Sequence, residues 1–170
     1  MKLLLFAAIF FVSFSLECQF LSGDLVSQDS TFAFYLLRDS TIASHQILKV
    51  SIDSLALAST PLFTAHDIKT YSWSTHTFVL KPKIDSIFKR LCTIGRKSHD
   101  IPFVVKVGSE RIYLGEFLSP YSSLSPQCAY ISIGSSSPYK LNYSKLASYP
   151  DKRSDKRIYY ALQTAGVLIE

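Results

Sequence analysis

Four apolar residues, Ile84, Ile87, Phe88 and Leu91, recur at i, i+3, i+4 and i+7, the spacing that lines one side of an α-helix. The surrounding segments keep a different period, so this chain must fit one helical stripe against extended chain. Pro82 suits a first helical turn, which needs no N–H from it. Asp85 and Lys89 form an i,i+4 pair in the favoured order. Basic Lys89, Arg90, Arg96 and Lys97 crowd the end of the stripe, where Gly95 is a fitting stop. A helix over about residues 83–94 follows. Before it, Phe32–Leu37 is a compact aromatic and aliphatic run. Within Ile47–Leu57, Leu48, Val50 and Ile52 alternate with Lys49, Ser51 and Asp53, as on a half-buried strand. Asp67–Trp73 and His76–Lys81 are two short extended segments around Ser74-Thr75, rich in aromatic and β-branched residues.

After the helix, Phe103–Val107, Gly108-Ser109 and Glu110–Leu114 carry a hairpin signal, since Gly first in a two-residue loop suits a type II′ turn. Residues 119–138 hold eight serines and three prolines, interrupted by Ala129–Ile133, which reads as a short edge strand. Ile158, Ala161, Leu162 and Ala165 share one face of an expected terminal helix over 154–168, with Ser154 as its N-cap. This order predicts an α+β fold: a small, mostly antiparallel sheet packed by one central helix and a C-terminal helix. With 170 residues, 48% hydrophobic and 18% charged, the chain has the apolar content for one real core. A disordered chain and a large multidomain enzyme are both excluded.

The N-terminus begins with Lys2 and an unbroken apolar run, Leu3–Val12, extending loosely to Leu16. That is short of the roughly 20 residues that a membrane-spanning helix needs, and it has the form of a secretory signal peptide, here residues 1–18. Ser13 and Ser15 suit cleavage ahead of Leu16; Leu16 and Cys18 would precede a cut ahead of Gln19. A third reading makes Cys18 the first mature residue, lipidated on its sulfur. Glu17 then stands where a small residue is usual, and Ser15 where Leu is usual. Residues 19–31 read as a flexible leader and 32–170 as a single domain outside the cytoplasm, periplasmic or secreted. An oxidising setting would permit a Cys92–Cys128 disulfide, closing about 35 residues for about 3–4 kcal/mol in the chain-entropy account. Two buried thiols are the alternative.

Of the formal +5 net charge, +4 lies between Lys140 and Arg157, from six basic and two acidic residues. The alternating signs of Asp151–Arg157 suit a solvated linker or helix start; an anionic surface is the sharper alternative. There is no long basic stripe for nucleic acid. Membrane contact is expected only through the leader or a lipid on Cys18.

Pro61–Ile68, Thr77–Leu80, Phe88–Leu91 and Phe103–Tyr113 together form a pattern that resembles the first periplasmic domain of SecD, a subunit of bacterial protein export. The resemblance covers roughly residues 61–113. It implies a compact α+β head domain outside the cytoplasm that contacts polypeptide. The several membrane spans of SecD have no counterpart here, so motor activity and functional residues do not carry over.

Chemistry is sparsely signalled. His45, His66, His76 and His99 show no HxH or HExxH spacing, and no CxxC occurs, so no metal or cofactor site is expected. No G-x-S-x-G elbow is present, and Gly134–Pro138 reads as a polar turn. Glu110 and Glu116 would share a face of a regular strand about 20 Å apart, beyond the roughly 5–9.5 Å used in glycoside cleavage. No catalytic residue is assigned. Tyr71, Trp73, Tyr113 and Tyr121 are the candidate binding surface, because Tyr and Trp suit interfaces. The expected function is a non-enzymatic module binding a protein or cell-envelope partner. The alternative is a small secreted hydrolase with a Ser/His site in residues 119–138 or around His66 and His76.

Overall fold

The structure, a computed structural model, describes residues 31–94, 100–119, 121–123 and 125–170, with side chains of 91–94 outside that description. The expected signal peptide, nearly all of the leader, Cys18 and the Cys92 side chain fall outside the described residues. The fold is α+β, with two mixed, mostly antiparallel sheets and three short helices. In the larger sheet the order is β2 (Phe63–Thr64), β1 (Phe32–Leu36), β5 (Ile101–Val107), β6 (Glu110–Leu118), β7 (Ala129–Ser132) and β9 (Asn142–Tyr143). The smaller sheet runs β10 (Leu168–Ile169), β3 (Ile68–Ser72), β4 (Thr77–Leu80) and β8 (Tyr139–Lys140). The helices are α1 (Ser44–Ile47), α2 (Pro82–Ile94) and α3 (Lys156–Thr164).

One aromatic core joins the two sheets. Phe34 of β1 stacks on Phe63 at 4.4 Å and meets Phe103 of β5 at 4.9 Å. Phe78 of β4 reaches Phe34, Phe63 and Tyr71 at 5.7–6.3 Å. Phe88 of α2 closes the cluster against Tyr139 at 4.5 Å and Phe117 at 5.3 Å. The helix is where the stripe places it, although Ile87 is exposed, so the buried side is narrower than its spacing suggested. Asp85 bonds Lys89 at 2.7 Å and also accepts from the Tyr139 hydroxyl at 2.6 Å, tying α2 to β8.

Several expectations need correction. A single sheet was expected, and two form. Ile47–Leu57 is not a strand: it holds the end of α1 and a 3₁₀ turn at Ile52–Ser54, with one bridge from Leu57 to Leu37. Ser51 Oγ accepts from Asp53 N–H and Ser54 Oγ donates to Ser51 C=O, local bonds that draw the backbone into a turn. β7 is not an edge, since β6 flanks it in parallel and β9 antiparallel. The terminal helix is capped by Asp155 rather than Ser154, and Gly166 at φ +69° ends it before β10. Its Ile158, Ala161 and Leu162 are buried as expected.

The β5–β6 hairpin forms with Gly108 at φ +57°. One register shift inside it changes the reading of the carboxylates. Val105 pairs Tyr113 while Lys106 pairs Arg111, so Ile112 is an extra residue on β6. Beyond it the strand changes parity. Glu110 reaches Arg157 of α3 on the core side, whereas Glu116 is buried on the other face among Asp100, His45 and Gln127. The two glutamates therefore lie on opposite faces, not one.

Gly115 pairs Phe103 across β5 and β6, and the Phe103 ring lies over it. A Cβ at that position would come within 2.3 Å of the Phe103 ring and 3.0 Å of the Ala129 carbonyl oxygen. Phe103 is fully buried between Phe34 and Phe117 and has nowhere to move. Gly115→Ala is therefore expected to cost about 1–3 kcal/mol by overpacking, measured by urea denaturation.

Candidate functional site

The β3–β4 turn and the start of α3 build the most chemically varied surface of the described chain. Thr75 Oγ1 lies 2.8 Å from both Ser72 Oγ and Thr77 Oγ1, cross-bracing the turn. His76 takes φ +52°, a left-handed conformation that costs a non-glycine residue about 1–2 kcal/mol. Its carbonyl accepts Leu141 N–H at 2.9 Å. That backbone directs the imidazole inward. Nδ1 lies 3.3 Å from the Tyr71 hydroxyl and Nε2 3.3 Å from Ser154 Oγ.

Trp73 is fixed from two sides. Its N–H donates to Ile169 C=O at 3.2 Å, where β10 ends. Its ring meets Tyr159 edge-on at 5.1 Å and His76 at 5.7 Å. Tyr159 in turn meets Tyr160 at 5.7 Å. A row of rings thus runs from buried Tyr71 through Trp73 and Tyr159 to Tyr160, which is 60% exposed. Ile169 adds apolar surface at 48% exposure. The cations here divide into two kinds. Arg153 is paired with Asp151 at 2.8 Å, and Arg157 is held by Asp155 and Glu110. Lys152 and Lys156 have no ion pair among the described residues. Lys156 stands one turn before Tyr160 on α3, on the same side.

This arrangement differs from the surface expected from sequence. Tyr71 and Tyr113 are core residues, unavailable to a partner, because each lies on an inward-facing strand position. Tyr121 is 79% exposed in the turn after β6 but has no ring contact with the others among the described residues. Of the four, Tyr71 anchors the observed ring row from inside and Trp73 carries it outward, to Tyr159 and Tyr160. Their signal lay in the α3 stripe: with Ile158, Ala161 and Leu162 facing in, Tyr160 must face out. Cys128 is a free thiol buried with Val104 and Leu114 on the sheet face away from Phe88 of α2.

Ser154 and His76 are the serine and histidine that the fold brings together; His66 instead lines a hollow with Ala65 and Ala161. Ser119 and Ser122 serve Asp100, donating from the Ser119 N–H at 2.8 Å and the Ser122 hydroxyl at 3.0 Å. Ser135 bonds back to Ser132 C=O within the polar turn. Activating Ser154 would put a proton on His76. Burial first, then the Arg153 charge, lowers the proton affinity of that imidazole; Asp151 opposes them, and Lys140 adds to the lowering. The group at Nδ1 is a phenol whose own pKa is raised by burial, so it brings no negative charge. A nucleophilic triad uses a carboxylate in that place. The electrostatics therefore disfavour base catalysis. Among the described residues no group of three His, Cys, Asp or Glu side chains could hold a metal ion, and no helix is long and apolar enough to cross a membrane.

Comparison with protein-family models, with curated proteins and with solved structures gives no match to this chain.

The depressed His76 pKa has a definite sign in stability. Below the ordinary value of 6.5 the unfolded chain takes up a proton that the folded imidazole resists, so this group's contribution falls as pH drops below about 6.5. His76→Asn keeps a residue tolerant of positive φ. Denaturation at pH 7.5 and 5.5 should show a smaller acid-side loss of stability in His76→Asn than in the parent.

Proposed function

We propose that this chain is an exported, non-enzymatic interaction module of the cell envelope, holding a protein or envelope partner against the Trp73–Tyr159–Tyr160 face. The observation that carries this reading is the ring row itself, anchored in the core at Tyr71 and open to solvent at Tyr160. Aromatic side chains held rigid by neighbours lose little entropy on binding and offer large contact area. Lys156, one turn before Tyr160, favours a partner with acidic groups at its rim. The leader, with Lys2 ahead of Leu3–Val12, supports placement outside the cytoplasm. The resemblance of residues 61–113 to the SecD head domain supports contact with polypeptide. A lipid on Cys18 would tether such a module to a membrane, and a Cys92–Cys128 bond would require the helix end and the β7 approach to meet.

A second reading, a small hydrolase, is favoured by one observation, the 3.3 Å approach of Ser154 Oγ to His76 Nε2. Both readings are tested with the same set of proteins. Tyr160→Ser changes an exposed ring and leaves the core intact, so the folded variant is expected to lose an envelope partner captured by the parent. The expected loss is tenfold or more in affinity, the size of a binding hot spot of about 2 kcal/mol. Tyr121→Ser should retain it. Equal capture by Tyr160→Ser and the parent would overturn this face as the docking surface. Ester hydrolysis by the parent that Ser154→Ala abolishes would favour the hydrolase.

A further inference from the structure

On the sheet face turned away from the aromatic core, β6 sends one carboxyl group inward. Glu116 is 4% exposed. Asp100 faces it from the start of β5, Ser44 and His45 from α1, and Gln127 and Cys128 from the approach to β7. Tyr130 of β7 stands beside it in register. None of these is a lysine or an arginine. Asp100 is itself held as an acceptor by Ser119 N–H and Ser122 Oγ. Glu116 accepts the Gln127 N–H. Ser44 Oγ, in a residue 3% exposed, lies beside Glu116 but outside hydrogen-bonding geometry and has no partner. His45, Leu48, Asp100, Glu116, Ser125 and Gln127 surround a hollow of about 20 Å³, room for about one water.

A carboxylate buried with no lysine or arginine beside it among the described residues is costly, and the simplest neutralising agent is a proton. The segment over this group is also the shortest of the three described α-helices. Four residues cannot hold a helix in isolation, so α1 depends on Ala43 and Ile47 being buried and on Ile47 meeting Leu37, Leu55, Val104 and Leu114. Among the described residues, the long-range tie to the backbone of 43–50 is the Tyr149 hydroxyl donating to Val50 C=O at 3.3 Å.

We propose that Glu116 is a proton-operated latch for α1, seating residues 43–50 on the sheet when its carboxyl is protonated and releasing them when it ionises beside Asp100. Burial, and secondarily the Asp100 charge, raises its pKa to about 7, against the opposing Ser44 and Gln127 contacts. Released to solvent, the same carboxyl returns towards its ordinary 4.5. The open form then binds fewer protons than the seated form between those two values. Opening grows as pH rises from about 4.5 to about 7 and levels off above it. Cys128 stays a thiol throughout while seated, since burial pushes its pKa up.

Hydrogen exchange of the whole chain tests this, with rates over residues 43–50 corrected for the intrinsic pH dependence of exchange. Between pH 5 and 7.5 protection there should fall by more than about tenfold, with no further fall at pH 8.5, while β5 (Ile101–Val107) keeps its protection. Glu116→Gln should abolish that pH dependence, and a His45→Gln background should retain it. Asp100→Asn should move the transition to lower pH by removing the like charge. Flat protection in the parent, a parallel loss in β5, or the parental pH response in Glu116→Gln would each overturn the latch. Should Glu116→Gln fail to fold, an unshifted transition in Asp100→Asn overturns it equally.

Discussion

Ring-to-ring packing between Phe34, Phe63, Phe78, Phe88 and Phe103 is the constraint on which the remaining structure rests. Among the described residues, four of the ten strands are two residues long at sheet edges, and they contribute few ladder bonds. Each aromatic pair is worth about 0.5–1.5 kcal/mol beyond the area it buries, whereas exposed ion pairs such as Arg157–Glu110 contribute about 0–1 kcal/mol. The aromatic core therefore decides how the two sheets meet. The charged surface adjusts around it. The exposed rings of α3 inherit their rigidity from this core, because Trp73 stands between Tyr71 inside and Tyr159 outside.

The basic segment has a similar division of labour. Asp151 binds Arg153 through both its oxygens, and Arg153 also donates to Leu141 C=O at 2.8 Å. Asp155 binds Arg157 while capping α3. The two arginines thus stitch the chain before α3 to the body, and they hold the carboxyls of Asp151 and Asp155 below the usual range. What remains for a partner is the lysine charge of Lys152 and Lys156, the latter one turn before Tyr160. The mixed-sign run, read as a solvated linker or helix start, does begin α3 and is also a structural clasp with a cationic edge.

Elements whose pattern came from burial were legible in the sequence. Phe88 on its helical stripe, Phe103–Val107 with Gly108, and Ile158 with Ala161 and Leu162 all face where their spacing places them. Elements whose form came from local polar bonds were not. Ser51 and Asp53 turn an alternating run into a 3₁₀ turn, because side-chain oxygens there satisfy the backbone more cheaply than a ladder would. Of the candidate site, Trp73 was legible by residue type, but nothing local in Tyr71 or Tyr113 distinguishes a core tyrosine from a rim tyrosine. The partnership of His76 with Ser154 spans 78 positions, a separation across which spacing carries no information.

The extra residue at Ile112 has a wider consequence. Upstream of it β6 presents Glu110 to α3, and downstream it presents Phe117 to the aromatic core and Glu116 to α1. The chemistry of both faces depends on counting residues as odd or even through that point. Loss of the extra residue itself would leave the Val105–Tyr113 and Lys106–Arg111 pairs, and the contents of both faces, as they are. A residue lost from the regular ladder between Tyr113 and Glu116 would instead exchange the contents of the two faces, driving a carboxyl into the rings and a phenyl group out to α1.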